Sequence, residues 1–298
     1  MNDVYKKMRE KIQTLFDEAE KEIESDCIYD DWLGDFSQDL CCSIKDNFKL
    51  YRYSHSDYWN IRNIEKNQLK LSPAGDMNDF FEGVSSSDIS RLKSYEIEDL
   101  NDIAYMKCFS ENPDILLMWS HYANKGAGIC VEYDLSLLKK DEAVLQNIYP
   151  VVYTDSRRFN VNYKYIAQDS YELSTALRNC DYPADTSWLD NIKFLFLNKY
   201  IGWSYEKEWR LLVTKKQMFD TGEEKQIFTD RIVPFNCITG IYFGVRTESG
   251  IKEHLIEIAK RANALKIEKG IGQLIKCYQM NYHETNYEVI SSEVLLEE

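Results

Sequence analysis

Segments with strand-like alternation and segments with helical spacing follow one another along this 298-residue chain without a regular strand–helix–strand rhythm. A parallel, doubly wound sheet requires that rhythm, because a crossover helix joins each strand to the next. Its absence predicts an α+β fold. Lys49–Tyr53, Leu69–Ser72 (ending at Pro73), Tyr105–Phe109, Ile129–Tyr133 and Val151–Thr154 read as strands. So do Glu208–Val213, Ile232–Phe235 and Ile238–Phe243, with late strands at Ile275–Gln279 and Tyr287–Ile290. A short helix suits Ser56–Asn67 and a turn suits Ala74–Asp79. Further helices are expected over Ser87–Leu100, Tyr163–Arg178, Trp188–Tyr200 and Ser249–Leu265. Pro113 suits the first turn of a helix carrying Leu116, Leu117, Trp119 and Tyr122, which Gly126 and Gly128 would end.

Near the start, Val4, Met8, Ile12, Leu15, Ala19 and Ile23 recur at steps of three and four with charges between them, the pattern of an amphipathic helix. Residues 1–45 are read as a helical extension with an acidic connection through Asp26–Asp39, and residues 46–298 as one α+β domain. The helix either caps that domain or offers a face for a homodimer.

A formal charge of −14 argues against broad binding to nucleic acid or anionic membranes, since affinity for phosphate needs clustered cations. The basic strip over Lys252–Lys276 is interleaved with Glu253, Glu257 and Glu268 and reads as a solvated helix face. A nucleic-acid target reached by a small site stays open. No apolar run attains the roughly 18 residues of a membrane span, and MNDVYKKMREKIQ lacks the apolar core of a signal peptide. The expected location is cytoplasmic, with no membrane partner. Eight cysteines are scattered, Cys41 and Cys42 are adjacent, and neither CxxC nor zinc-type spacing occurs, so reduced thiols and no metal are expected.

Four segments could carry chemistry. In Tyr205-Glu-Lys-Glu-Trp-Arg-Leu-Leu-Val, period two sets Trp209, Leu211 and Val213 on one strand face and Glu206, Glu208 and Arg210 on the other. Paired carboxylates beside an arginine can bind a ribose diol, stabilise a cationic transition state or activate a nucleophile. A solvated edge, or an ion pair of a glutamate with Arg210, explains the same pattern. In Cys108-Phe-Ser-Glu…Met-Trp-Ser-His-Tyr-Ala, Ser110 offers an anchor and the helix start offers donors to an anion. Trp119 reads as core, and His121 either orients a ligand or is simply hydrogen-bonded. Cys108 lacks a histidine at a spacing that would make it a nucleophile.

In Leu71–Glu82, the residues Asp76, Asn78, Asp79 and Glu82 crowd one turn. A hard-cation loop would need other spacing than this, which is not that of a calcium-binding hand, and capping by Asn78 or Asp79 with Glu82 is the preferred reading. In Tyr51-Arg52-Tyr53-Ser54-His55, Arg52 could meet a phosphate while Tyr51 and Tyr53 stack on a base. A tyrosine-rich strand with a snorkelling arginine is the alternative.

Together these segments resemble an uncharacterised bacterial family, one of the numbered domains of unknown function. The matching pieces are Tyr51–Tyr53, Leu69–Glu82, Cys108–Ala123 with Gly128–Asp134, Tyr205–Leu212 and Ile238–Arg246, spread over residues 48–280. Phe80 stands where that family usually has proline, and the N-terminal helix lies outside the resemblance.

More distantly, the Tyr-basic-Tyr, helix and Leu-x-Leu-Ser layout is similar to the opening of ADP-ribosyltransferases. That similarity implies a mixed, mainly antiparallel sheet core with flanking helices, and NAD as substrate without a metal. It implies that Arg52 contacts NAD, Ser110 supports the nicotinamide ribose and Glu208 binds its 2′-hydroxyl, with Glu206 the outer member of a Glu-x-Glu pair. Tyr51, Tyr53, Tyr122 and His121 complete the implied cofactor contacts; Cys-Phe-Ser replaces the family's Ser-Thr-Ser.

The expected activity is ADP-ribosyl transfer, or NAD glycohydrolysis, towards an unknown protein or nucleic-acid acceptor. A bacterial defence or toxin setting would suit it. One alternative is a non-catalytic nucleotide- or protein-binding sensor. Another is a hydrolase or nuclease using Asp79, Glu82 and His121.

Overall fold

A computed structural model of the chain describes residues 2–24, 32–79, 104–140, 142–155, 193–194, 196–214, 232–270 and 272–296. The expected amphipathic pattern forms α1 (Asn2–Glu24), which buries Met8, Ile12 and Phe16 almost completely and Tyr5 and Leu15 nearly so. The acidic connection expected over Asp26–Asp39 is corrected in its second part. Trp32–Ser43 forms α2, whose Leu33, Phe36 and Leu40 recur at helical spacing and enter the same core. Charged neighbours in sequence hid that short apolar stripe.

The strands are β1 (Lys49–Ser54), β2 (Gln68–Lys70), β3 (Ser72–Pro73), β4 (Ala104–Ser110), β5 (Ile129–Asp134), β6 (Ile148–Pro150) and β7 (Val152–Thr154). They continue with β8 (Asn198–Tyr200), β9 (Glu208–Thr214), β10 (Ile232–Pro234), β11 (Ile238–Phe243), β12 (Lys276–Tyr282) and β13 (Val289–Val294). Helices α3 (Tyr58–Glu65), α4 (Leu116–His121) and α5 (Ser249–Lys269) lie between them. The main sheet runs β13-β12-β11-β5-β1-β4-β9-β6, with β3 also on β4, and its described pairs are antiparallel except β11–β12. A mixed, mostly antiparallel sheet with several helices is an α+β architecture.

Three expectations need correction or fall elsewhere. Asn198–Tyr200 is a strand paired in parallel with β7, not the end of a helix from Trp188, because Lys199 is drawn into a buried ion cluster. Pro113 precedes α4 instead of opening it; the helix begins after Ile115, and the Pro113 carbonyl accepts from Trp119 Nε1 at 2.8 Å. The helices expected over Ser87–Leu100 and Tyr163–Arg178 lie outside the described residues.

Packing joins the N-terminal helices to the sheet. The Tyr5 hydroxyl donates to the Lys49 carbonyl at 2.6 Å, and its ring stacks on Phe48 and meets Trp209 edge-on. Arg9 donates to Glu111 at 2.7 Å and to the backbone carbonyls of Val151 and Glu208 at 3.1 and 3.2 Å. Gly128, at the entry to β5, could not carry a side chain, since a Cβ would lie 2.3 Å from the Ser54 carbonyl oxygen.

One irregularity shapes everything that follows. β4 pairs with β9 from Ala104 to Ser110 along one edge. On its other edge it meets β1 only at Ser110 and β3 only at Tyr105 and Met106. Among the described strands, Lys107, Cys108 and Phe109 have no partner there, so β1 and β3 leave a split in the sheet.

The burial of Met8 predicts that Met8→Ala costs about 2–5 kcal/mol. Equilibrium urea denaturation should show a lowered midpoint at unchanged slope.

Candidate functional site

The carboxylates come from a turn and a strand, not from one strand. A 3-10 turn, Ile201–Glu206, ends at Lys207 in the left-handed region (φ 45°), and β9 starts at Glu208. Period two thus accounts for Glu208 with Arg210, while the left-handed Lys207 brings Glu206 alongside. The solvated-edge reading is excluded: Glu206, Glu208 and Arg210 are 2%, 3% and 1% exposed, and β9 lies between β4 and β6.

Buried charges require partners. Lys199 Nζ donates to Glu206 Oε2 at 2.6 Å and to Glu208 Oε2 at 2.9 Å. Arg210 Nε donates to Glu208 Oε1 at 2.7 Å, Nη2 to Oε2 at 3.1 Å, and Nη1 to the Phe196 carbonyl. Tyr122 donates to Glu206 Oε1 at 2.5 Å and accepts from Asn78 Nδ2 at 2.8 Å.

Burial disfavours charge on Glu208, yet Arg210 and Lys199 outweigh it and hold the carboxyl well below the usual range. Burial and the charge of Glu208 push Glu206 the other way, upward, against the pull of Lys199 and Tyr122. Burial also works against charge on Lys199, but the two carboxylates hold its ammonium form above lysine's ordinary value. The Cys108 thiol is raised far up by burial and by Glu208, which removes it as a thiolate nucleophile.

These groups face a cavity of about 310 Å³ that occupies the split beside β4. Glu206, Glu208, Lys199 and Arg210 line it, as do Tyr51, Arg52, Tyr53 and Lys107. Tyr122, Asn78, Met77 and Met118 contribute further wall. Lys107 and Cys108 point to opposite faces of β4 by strand alternation, yet both reach the cavity because the sheet is open there.

The tyrosine hydroxyls are committed inside the protein. Tyr51 donates at 3.1 Å to Glu132, a buried carboxylate that also accepts from Lys49, Thr239 and Tyr242 at 2.8, 2.7 and 3.0 Å. Tyr53 donates to the Asn112 carbonyl at 2.8 Å, and its ring meets Trp119 edge-on. What these two residues offer a ligand is aromatic surface. Arg52 Nη2 donates to Asn60 Oδ1 at 3.2 Å, and Asp57 fixes that amide. Burial and the neighbouring Arg52 push Lys107 down to about 7.

Of the residues singled out in the sequence, Tyr51, Arg52, Tyr53, Tyr122, Glu206 and Glu208 come together. Ser110 does not line the cavity: it is fully buried, and its hydroxyl donates at 2.6 Å to the Glu206 carbonyl, steadying the turn from behind. His121 is exposed at the end of α4 and also stands outside the cavity. Glu82 lies outside the described residues. Asn78 reaches the Tyr122 hydroxyl through its Nδ2; the helix that Asn78 or Asp79 was expected to cap lies outside the described residues.

Sequence reasoning missed Lys107, Asn78's contact and Lys199. The signal for Lys107 was a single cation in the otherwise apolar strand Ala-Tyr-Met-Lys-Cys-Phe. Lys199, on a three-residue strand, gave none.

The fold and site define an α+β protein with a ligand-sized cavity that bears buried carboxylates. Residues 118–211 match the model of a family described as a protein of unknown function, DUF2971, which bears out the resemblance to an uncharacterised domain family over α4 to β9. No curated protein and no solved structure matches the chain.

Removing one partner from a buried ion cluster strands the others. Glu208→Gln should therefore lose about 3–5 kcal/mol of stability, read by denaturant unfolding. A carboxyl held below its ordinary value stabilises the fold above about pH 4.3 and loses that contribution as pH falls, so the gap between wild type and variant should narrow on acidification.

Proposed function

We propose that the cavity binds the nicotinamide-nucleotide part of NAD and that the protein transfers ADP-ribose or hydrolyses NAD there. The observation supporting this reading is that Arg52, Tyr51, Tyr53, Tyr122, Glu206 and Glu208 line a single cavity. Its volume is at the small end of ligand pockets, roughly 300–1,000 Å³, and suits one nucleoside phosphate better than a whole dinucleotide. Aromatic faces of Tyr51 and Tyr53 would take the nicotinamide, and Arg52 the phosphate. Loss of nicotinamide leaves positive charge on the ribose C1′ and its ring oxygen, which a fixed carboxylate stabilises more in the transition state than in the ground state.

The two carboxylates divide that work unequally. Both oxygens of Glu208 already accept from Arg210, and one also from Lys199, so its role is to hold the cluster. Glu206 is the group for the ribose: its Oε1 meets only the Tyr122 hydroxyl, which itself borders the cavity. The distant resemblance, whose arginine-modifying members carry a Glu-x-Glu pair, implies a protein arginine as acceptor.

The saturation of Glu208 favours a second reading, a sensor that binds the same nucleotide without turnover. No observation favours the hydrolase, since His121 stands outside the cavity.

Incubation with NAD labelled in both halves, with and without cell extract, should give nicotinamide release or labelled acceptor. Glu206→Gln should lower the rate per folded molecule by about 10²–10³-fold, and Tyr122→Phe by less; thermal unfolding gives the folded fraction, since Glu206→Gln also takes a partner from Lys199. Binding of NAD without turnover at high enzyme concentration would select the sensor. Absence of binding and turnover alike would remove both.

A further inference from the structure

Four of the charged groups that line the cavity are matched with one another, and two are not. Glu206 and Glu208 sit against Lys199 and Arg210, two anions with two cations. Arg52 and Lys107 have no carboxylate within ion-pair distance among the described residues, and the hydrogen bond of Arg52 goes to the neutral Asn60. Both cations line the cavity, close enough to repel each other. An unmatched pair of cations is notable in a chain of net charge −14.

We propose that Arg52 and Lys107 together form a subsite for a phosphate of the ligand, and that phosphate enters this subsite accompanied by a proton. The proposal rests on the nucleotide reading of the cavity and adds to it a second phosphate-binding residue and a linkage to pH. Arg52 supplies a permanent charge with directional N–H donors, and Lys107 supplies a compact ammonium.

Burial and Arg52 together push Lys107 down to about 7. The other groups acting on it are Asp57 ahead of α3, Cys108 beside it and Lys70 on β2. Asp76 and the matched cluster of Glu206, Glu208, Lys199 and Arg210 also line the cavity. A phosphate anion between Arg52 and Lys107 offsets their repulsion and favours the ammonium. The Lys107 nitrogen lone pair then takes a proton from solvent; no covalent bond to the ligand forms or breaks. Above about pH 7 the free amine is neutral, so binding draws in a proton and affinity falls as pH rises. Well below pH 7 the ammonium already exists and uptake vanishes.

The test is calorimetric titration with ADP-ribose, whose phosphodiester groups stay ionised across the range, in two phosphate-free buffers of different ionisation enthalpy. At pH 8 the wild type should take up close to one proton per ligand, and at pH 6 almost none. Lys107→Met should abolish uptake and weaken binding about tenfold or more at pH 6. Lys107→Arg should retain binding while losing both uptake and pH dependence; this charge-conserving variant guards against a folding defect in the first.

Nicotinamide riboside, which lacks phosphate, should bind wild type and Lys107→Met alike. Equal affinity of ADP-ribose for all three proteins, without proton uptake, would overturn the subsite while leaving the nucleotide reading intact. Binding of inorganic pyrophosphate but not ADP-ribose, with an uptake at pH 8 that exceeds that of Lys107→Arg by close to one proton, would keep the subsite and remove the nucleotide reading. Failure of both probes to bind would overturn the proposal.

Discussion

Lys199 carries an ammonium group with almost no access to water, placed between two carboxylates that are equally dry. Each of these charges would be strongly disfavoured alone, because desolvation of an ion costs several kcal/mol even after relaxation. They are tolerable only when all are in place. That condition ties together pieces of chain with little else in common: the short strand β8, the 3-10 turn before Lys207, the start of β9, and Tyr122 at the end of α4. Arg9 and Tyr153 fix the Glu208 backbone as well, through its carbonyl at 3.2 Å and its amide at 2.8 Å. The position of Glu206 beside the cavity is thus a consequence of electrostatic closure, with the Ser110–Glu206 backbone bond completing it.

The split along β4 supplies the space. A continuous sheet would put Lys107 and Cys108 on opposite sides and give each its own surroundings. Here β1 leaves β4 after Tyr51–Ser110, and β3 joins it only at Tyr105 and Met106. Residues of both faces therefore share one cavity. The aromatic side of that cavity is kept rigid by groups that never touch it. Glu132, accepting from Tyr51, Tyr242, Thr239 and Lys49, fixes the Tyr51 ring, and Trp119 does the same for Tyr53 through an edge contact at 5.2 Å. Fixed rings bind a flat ligand with little further loss of side-chain freedom.

How far the sequence disclosed this depends on the range of each interaction. Amphipathic spacing in α1 and α5, and the apolar strands β5, β9 and β11, follow from patterns local to a few residues. The grouping of Glu208 with Arg210 was equally legible from period two. Glu206 was placed with them for the wrong reason, since the left-handed Lys207, not strand alternation, puts it there. Helix α2 and strand β8 escaped because each is short and owes its conformation to distant partners: the core for Phe36, the carboxylates for Lys199. Ser110 looked like a ligand contact because a serine at a strand end reads the same whether its hydroxyl faces a cavity or, as here, a carbonyl 96 residues away.

The family match divides the cavity along a chemical line. Residues 118–211 contain Tyr122, Lys199, Glu206, Glu208 and Arg210, the matched ion cluster and its tyrosine. Arg52 and Lys107 precede that stretch, as do Arg9 and Glu111, which hold β9 from its other face. The carboxylate cluster can therefore be shared by any protein that has the matched stretch folded in this way. The unmatched cations need β1 and the open edge of β4 as well. If ligand choice is set by the unmatched cations and chemistry by the carboxylates, change at Arg52 or Lys107 alters what is bound without taking a partner from the buried ion cluster. Substitutions within that cluster act first on folding, because none of its charges can be left alone.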